Sequence, residues 1–459
     1  MAIVATVEIN QLLDYRFDAE CYRPELQEAE RRVAALKPRT LESVATISDG
    51  NHVSIAGYFR SSGVRYLKGA EVADAFVDDA EPTYIPPSVY SDIKRAQVFP
   101  GDVLLSVIGS VGPVALVTEK YDRLSCSCKL AILRPYGISA ALLVAYLLSP
   151  TGQALLLRRN RGSVQQGVVL PDIRSFPVPR FSNGLRIKVE ELMSEAAKEK
   201  RRADVLYPEA EAELLERLGW KELQQQPHEL SYVTDFKEVL NAVRADAEFF
   251  EPRHKRLSHQ LQKAGALRIS QFCEKPSRGV QPLLVENGEI AVVDSKAVRP
   301  LGVQPAPSER TTRAFYAEPT NAKGRVRSGD VLLNSTGRGT LGRAAPYQST
   351  LPALCDNHLT ILRSDPDLCH YKYLALFLNS PAGLAQSLQF QTGSSGQLEI
   401  YPEHIQQFQV FLPRQGNGRV DLAWQQRLAA MVTDARELKN SARTKLDEAK
   451  RLVERAIMA

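Results

Sequence analysis

The densest run of donor chemistry in the chain is Arg158-Arg159-Asn160-Arg161-Gly162-Ser163-Val164-Gln165-Gln166-Gly167. Arginine forks match the O6/N7 edge of guanine, and glutamine amides match the N6/N7 edge of adenine. Arg159, Arg161, Ser163, Gln165 and Gln166 are therefore candidate contacts to base edges. Residues 153–180 hold five Arg against one Asp, a local field that favours an anion. A second stretch, Gln391-Thr392-Gly393-Ser394-Ser395-Gly396-Gln397, has the same Gly/Ser/Gln character without the arginines. Its candidates are Gln391, Thr392, Ser394, Ser395 and Gln397. One such stretch alone reads equally well as a solvated polar loop, and finding two favours contact.

Smaller clusters add to these. His52, Tyr58, Arg60, Ser61, Ser62 and Arg65 lie close in sequence, and Ser277, Arg278 and Gln281 form a later counterpart. Tyr58, Arg60, Arg278 and Gln281 are taken as candidate contacts, with Ser110, Arg338 and Arg343 beside glycine turns. Arg310, Arg313, Lys323, Arg325 and Arg327 make a basic stretch suited to phosphates.

Reactive motifs are missing. No GxxxxGK[ST] phosphate loop, GxSxG elbow or HExxH pair occurs. Ile85-Pro86-Pro87-Ser88 lacks the polar residue with which an amino-methyltransferase grips its target amine. Pro171-Asp172 has no following acid-x-Lys of the kind a nuclease metal site uses. Gly337-Arg338-Gly339-Thr340-Leu341-Gly342 matches GxGxxG, but Pro346 forbids a long helix after it and no acid follows about 20 residues on. A glycine turn joining two strands is the better reading. No catalytic residue and no metal ligand is expected.

The 459 residues are 44% hydrophobic and 24% charged, which excludes wholesale disorder. At roughly 100–200 residues per domain, two to four structural units are expected. No run of 18 apolar residues occurs, and the first residues lack a basic secretory leader. The six cysteines, with only Cys126 and Cys128 close together, read as reduced thiols of a cytoplasmic protein. The net charge of +5 mildly favours an anionic partner.

The chain repeats itself. Arg16-x-Asp18-Ala19-Glu20-x-x-x-Pro24 recurs as Arg244-x-Asp246-Ala247-Glu248-x-x-x-Pro252, 228 residues later. Gly101-Asp102-Val103-Leu104-Leu105 recurs at the same offset as Gly329-Asp330-Val331-Leu332-Leu333. Ile132-Leu133-Arg134 answers Ile361-Leu362-Arg363, and Ser149-Pro150-x-Gly152 answers Ser380-Pro381-x-Gly383. Pro179-Arg180 answers Pro413-Arg414 at an offset of 234. An offset that drifts in one direction marks a duplicated domain with small insertions.

Each copy predicts an opening helix from Pro24 or Pro252. Short strands follow around 64–67, 103–107, 114–117 and 130–133, with counterparts at 290–293, 331–333 and 359–362. Two helices then flank each Ser-Pro. Residues 185–206 and 421–457 lack Gly and Pro and are rich in Ala, Leu, Lys and Glu, so both are predicted helical. A charged turn at 198–202 is expected to interrupt the first, and Pro208 to open a further helix, 209–218, stopped by Gly219. Residues 185–218 hold seven Lys/Arg against nine Asp/Glu, so this rod is no basic stripe for DNA. The two helical segments are expected to pair with each other. The fold class is thus α+β: two duplicated mixed α/β domains separated by long helices that pair as an antiparallel coiled coil. The expected bounds are domain 1 at 1–183, helical spacer and linker at 184–228, domain 2 at 229–415 and C-terminal helical spacer at 416–459.

The duplicated RxDAExxxP motif, the Gly-Asp-Val-Leu-Leu run before a glycine turn and the paired helical segments together resemble the specificity (S) subunit of type I restriction–modification enzymes. The resemblance implies that each repeated unit is a target recognition domain reading one half of a split, asymmetric site in double-stranded DNA. It implies helices that dock two methyltransferase subunits, which carry S-adenosylmethionine and methylate adenine N6. It further implies restriction/translocase subunits in the same phage-defence complex, no membrane partner, and a chain that is not itself an enzyme. A 22-residue helix is about 33 Å long, near one turn of B-DNA. Three other readings stay open: a specificity module of another phage-defence assembly, a methyltransferase or nuclease with two DNA-reading domains, and a duplicated protein-binding scaffold.

Overall fold

The computed structural model describes residues 7, 12, 16–73, 75–79, 82–162, 166–221, 229, 231–393 and 398–459. Contacts divide the chain into two units, Met1–Arg201 with Lys439–Ala459, and Arg202–Leu438. Each long helix therefore contributes residues to both units. The protein is mixed α/β.

In the first unit the run Val103–Ser106 is a strand buried on both faces. Val103 and Leu105 pack with Val114, Leu133, Leu143 and Tyr146, while Leu104 packs with Leu67, Leu124, Leu130 and Ile132. A strand covered on both sides reads as an unbroken apolar run, which is why Val-Leu-Leu is a sound strand signal. The strand sits in a six-stranded sheet ordered Ala45–Asp49, Leu130–Pro135, Val103–Ser106, Val114–Leu116, Ala75–Val77, Val72–Ala73. A four-stranded sheet, Thr83–Ile85, Val64–Leu67, Leu124–Cys126, Gln97–Val98, covers one face. The helices Ala140–Leu147 and Pro150–Arg159 cover the other.

The second unit repeats the plan. Its sheets run Ser277–Arg278, Leu359–Leu362, Val331–Asn334, Ala344–Pro346 and Arg310–Thr311, Ile290–Val293, Ala353–Cys355, Arg325–Val326. Val331 and Leu333 face the helices Tyr371–Asn379 and Pro381–Phe390, and Leu332 faces the second sheet.

The repeated motifs now have physical roles. Asp102, 2% exposed, accepts the Phe99 amide and a two-pronged bond from Arg134, at 2.8 Å for both prongs. Asp330 does the same with the Arg327 amide and Arg363, at 2.8 and 3.2 Å. The Gly-Asp and Ile-Leu-Arg motifs are thus two halves of one ion pair, which supplies the partner that a buried carboxylate requires. Each globular part is closed by its own first and last strands: Arg39–Thr40 pairs with Pro177–Val178, and Leu267–Arg268 with Gln409–Val410.

The long helices differ from the expectation at two points. Asn183–Leu218 is a single helix: the charged stretch 198–202 does not interrupt it, and Pro208 lies inside it and opens no second helix. A mid-helix proline costs about 3 kcal/mol, and the buried Ala203, Leu206, Ala210 and Leu214 on either side offset it. The charged stretch stays helical because Glu199 takes bonds from Ser441 and Lys445 of the C-terminal helix Leu422–Met458. In the first unit Val189, Met193 and Ala196 share a core with Leu446, Ala449 and Val453. In the second, Leu214 shares one with Leu428 and Val432, and Arg217 bonds Asp421 at 2.9 Å. The buried residues Val189, Met193, Ala196, Ala203, Ala210 and Leu214 answer Leu428, Val432, Ala435, Ala442, Ala449 and Val453, each 239 residues later. The spacing follows a 3.5-residue period with alanine at every seventh place, and small residues there let helix axes approach closely. No single helix among the described residues is long and apolar enough to cross a membrane.

Candidate nucleic-acid interface

In the first unit the helix Pro150–Arg159 starts on the Ser149 hydroxyl, which accepts the Gly152 amide at 3.1 Å. Proline in the first turn is preorganised for this position. Past the helix, Arg161 and Gly167 exchange backbone bonds of 2.8 and 2.9 Å, forming the root of the Arg/Gln segment. The Gly109 amide then donates to the Gln166 carbonyl at 3.0 Å, and the Val168 amide to the Val107 carbonyl at 2.9 Å. The glycine turn after Val103–Ser106 and residues 166–168 therefore lie side by side. Gly112 (φ +111°) packs against Gln153, whose amide reaches its carbonyl at 2.9 Å; a Cβ there would stand 2.6 Å from Gln153 Oε1.

The second unit builds the same junction. Thr392 and Glu399 exchange bonds of 2.7 and 2.9 Å, the Gly337 amide donates to the Leu398 carbonyl at 3.0 Å, and the Ile400 amide to the Ser335 carbonyl at 2.8 Å. Gly342 (φ +81°) takes the part of Gly112; a Cβ would stand 2.4 Å from Ser387 Oγ. The GxGxxG match is thus a hairpin turn between the paired strands Val331–Asn334 and Ala344–Pro346.

The candidate contacts fall into distinct groups. Tyr58 is 51% exposed, and Arg60, Ser110, Gln166, Gln281 and Arg338 are exposed. Ser110 and Gln166 are brought together by the junction of the first unit, and Arg338, Gln391 and Thr392 by that of the second. Arg343 is half-buried, its cation disfavoured by burial and by the charge of Arg299. Arg161 binds Asp172 through two bonds of 2.8 and 2.7 Å. Arg278 pairs with Glu399 and donates to the Asn357 carbonyl at 2.7 Å. Arg159 requires a correction: it is 5% exposed, bonds Glu30 at 3.1 and 3.0 Å and lies over Phe176. A buried guanidinium held by a carboxylate is part of the core. In the basic stretch, Arg310 and Arg325 direct their guanidinium donors at backbone carbonyls, of Gly288 and Glu289 and of residues 316–318 respectively. Ser163, Gln165, Ser394, Ser395 and Gln397 lie outside the described residues.

Several residues at these junctions were not singled out in the sequence. Asp49 stands opposite Ala131 and Arg278 opposite Thr360, the same register position in the two units with opposite charge. Asp49 pairs with Arg95 at 2.5 Å and with His52 at 2.7 Å. Thr336 bonds His358 Nδ1 at 2.7 Å beside the Thr336–Glu399 bridge. Nearby, burial pushes the Asp356 carboxyl up to about 6, opposed by a bond from the His358 amide. Aligning the copies at the local offset of 229 would have exposed the Asp49/Arg278 inversion; Glu399 carried no such signal. Among the described residues no group of three or more His, Cys, Asp or Glu is placed to hold a metal ion.

No protein-family model and no curated protein matches the chain. Among solved structures it is similar to the type I restriction–modification system S subunit from M. genitalium, with 12% identity, 92% of this chain and 94% of that chain covered, and a TM-score of 0.42. It is similar to the HsdS subunit from Thermoanaerobacter tengcongensis, with 17% identity, coverage of 92% and 94%, and a TM-score of 0.28. A shorter similarity, covering 37% of this chain and 28% of the other at 10% identity and a TM-score of 0.29, is with the type IIG restriction endonuclease BpuSI.

Proposed function

We propose that the chain is the non-catalytic DNA-specificity subunit of a type I restriction–modification complex. One observation carries this reading. The same junction of glycine turn and polar segment is built twice, through Gly109 to Gln166 and Gly337 to Leu398, on matching sheets and with different side chains. Such a pair suits two unlike half-sites of a split sequence in double-stranded DNA, since base choice follows the side chains that a rigid frame presents. Ser110, Gln166 and the exposed Tyr58 and Arg60 would serve the half-site of the first unit. Arg278, Gln281, Arg338, Gln391 and Thr392 would serve that of the second.

The long helices, paired as an antiparallel coiled coil, would set the gap between half-sites and dock two methyltransferase subunits, with restriction/translocase subunits joining through them. S-adenosylmethionine belongs to those partners, which would supply the methyl transfer to adenine N6. The test is to map methylated adenines in DNA from cells carrying this chain with its partners. A bipartite, asymmetric motif with a fixed gap is expected. Methylation without a motif, or at an uninterrupted palindrome, overturns the reading.

A further inference from the structure

The RxDAE motif opens each half of the chain. Its arginine has a defined target. Arg16 is 9% exposed and locked to Asp18 through Nε and Nη2. From there it donates to the Arg158 carbonyl at 2.7 Å and to the Asn160 carbonyl at 2.8 Å. Those carbonyls end the helix Pro150–Arg159, where intrahelical partners have run out. Arg244 repeats the arrangement. It holds Asp246 at 2.8 and 2.7 Å, lies over Phe249 at 4.5 Å, and donates to the Gln391 carbonyl at 2.8 Å, just past the helix Pro381–Phe390. Phe249 packs edge-on against Phe390, the last residue of that helix. A cation at a helix C-terminus also meets the negative end of its dipole.

The residue after each contact begins the polar segment. Arg161 and Thr392 follow directly on Asn160 and Gln391, and each makes the two backbone bonds that root its segment. The clamp therefore sits one residue from the root, on the side away from the glycine turn. We propose that Arg16 and Arg244 are positioning residues for sequence reading: each fixes the direction in which the chain leaves its helix, and so where Arg161 and Gln166, or Thr392, present their side chains. The inference rests on the reading that these segments face DNA bases. Its reach is local, one arginine to one half-site.

The test uses the complex of the full chain with its methyltransferase partners. Methylation is measured on a DNA set in which each position of the target is varied, for the unsubstituted chain, Arg244→Ala, Arg244→Lys and Arg16→Lys. Arg244→Ala is expected to reduce discrimination about tenfold at one half-site, the scale of a lost base contact, and to leave the other unchanged. Arg244→Lys keeps the charge but loses the fork that serves Asp246 and Gln391 together, so a smaller loss at the same half-site is expected. Arg16→Lys moves the opposite half-site. A merely structural defect lowers methylation of all sequences alike and leaves the ratios intact, so unchanged ratios overturn the proposal, as does equal relaxation of both halves.

Hydrogen exchange on the full chain without DNA gives a second readout. The Thr392 and Glu399 amides should exchange at least about tenfold faster in Arg244→Lys, an opening made easier by loss of the clamp. Unaltered exchange there refutes the clamp whatever the DNA result. If the unsubstituted complex shows no sequence preference, the parent reading fails and the DNA role of these arginines with it, while the exchange result still stands on its own.

Discussion

The junctions of the two units share a backbone and differ in where their charges stand. At one register position of the sheet the first unit carries Asp49, held by Arg95 and His52, and the second carries Arg278, held by Glu399. At the root of the polar segment Gly167 in the first unit stands where Glu399 does in the second. Beside the second sheet Ser127 corresponds to the buried Asp356. The frame is thus constant where backbone bonds define it, and chemistry varies where side chains leave it. A duplicated scaffold of this kind can vary the side chains it presents without changing how it folds.

The largest effect should test the constant part. Arg134→Ala and Arg363→Ala each leave a buried carboxylate unpaired, Asp102 or Asp330. Each should cost about 3 kcal/mol in urea denaturation. Similar losses support equivalent frames; a large cost at one and none at the other breaks the comparison.

Next comes pH, which should separate the units. Burial raises the Asp356 carboxyl to about 6 from an ordinary 3.8. The folded second unit therefore binds a proton that the unfolded chain has released. This contribution is fully present below about pH 4 and is lost as pH rises through about 6. Asp356→Asn should remove that loss, gaining on the order of 2 kcal/mol relative to the unsubstituted chain between pH 4 and 7. The unsubstituted and variant chains losing stability in parallel over this window would count against the assignment.

The third test addresses recognition. Gln166→Ala should relax base discrimination by about tenfold, on one half-site only, in methylation assays of the complex; relaxation of both would refute independent reading. The smallest effect is expected from Glu399→Gln, which frees Arg278 of its carboxylate. DNA binding by the complex should strengthen slightly, with a salt dependence steeper by about one counterion. An unaltered salt slope would place Arg278 away from the phosphates.

Much of the frame was legible in the sequence because it rests on local, periodic signals. Val103–Ser106 and Val64–Leu67 lie within a residue of their expected bounds, and two helices flank each Ser-Pro pair as expected. Short strands such as Leu124–Cys126 and Ala353–Cys355 escaped notice, since three residues give no periodicity and only long-range pairing makes them strands. The helix through Pro208 was hidden because a propensity rule was overruled by burial on both sides. At the interface, residue type misled once. Arg159 shares the composition of its neighbours, and only the fold reveals Glu30 across from it, 129 residues away. Arg161 and Arg278 are likewise read from sequence as candidate base contacts, and their carboxylate partners Asp172 and Glu399 appear only in three dimensions.

The two-residue ladders joining Arg39–Thr40 to Pro177–Val178 and Leu267–Arg268 to Gln409–Val410 bring the chain out of each globular part beside the place where it went in. Everything between them is in effect a cassette with adjacent ends. A crossover between related genes at these ladders would exchange one cassette whole and leave the helical stem that flanks it intact.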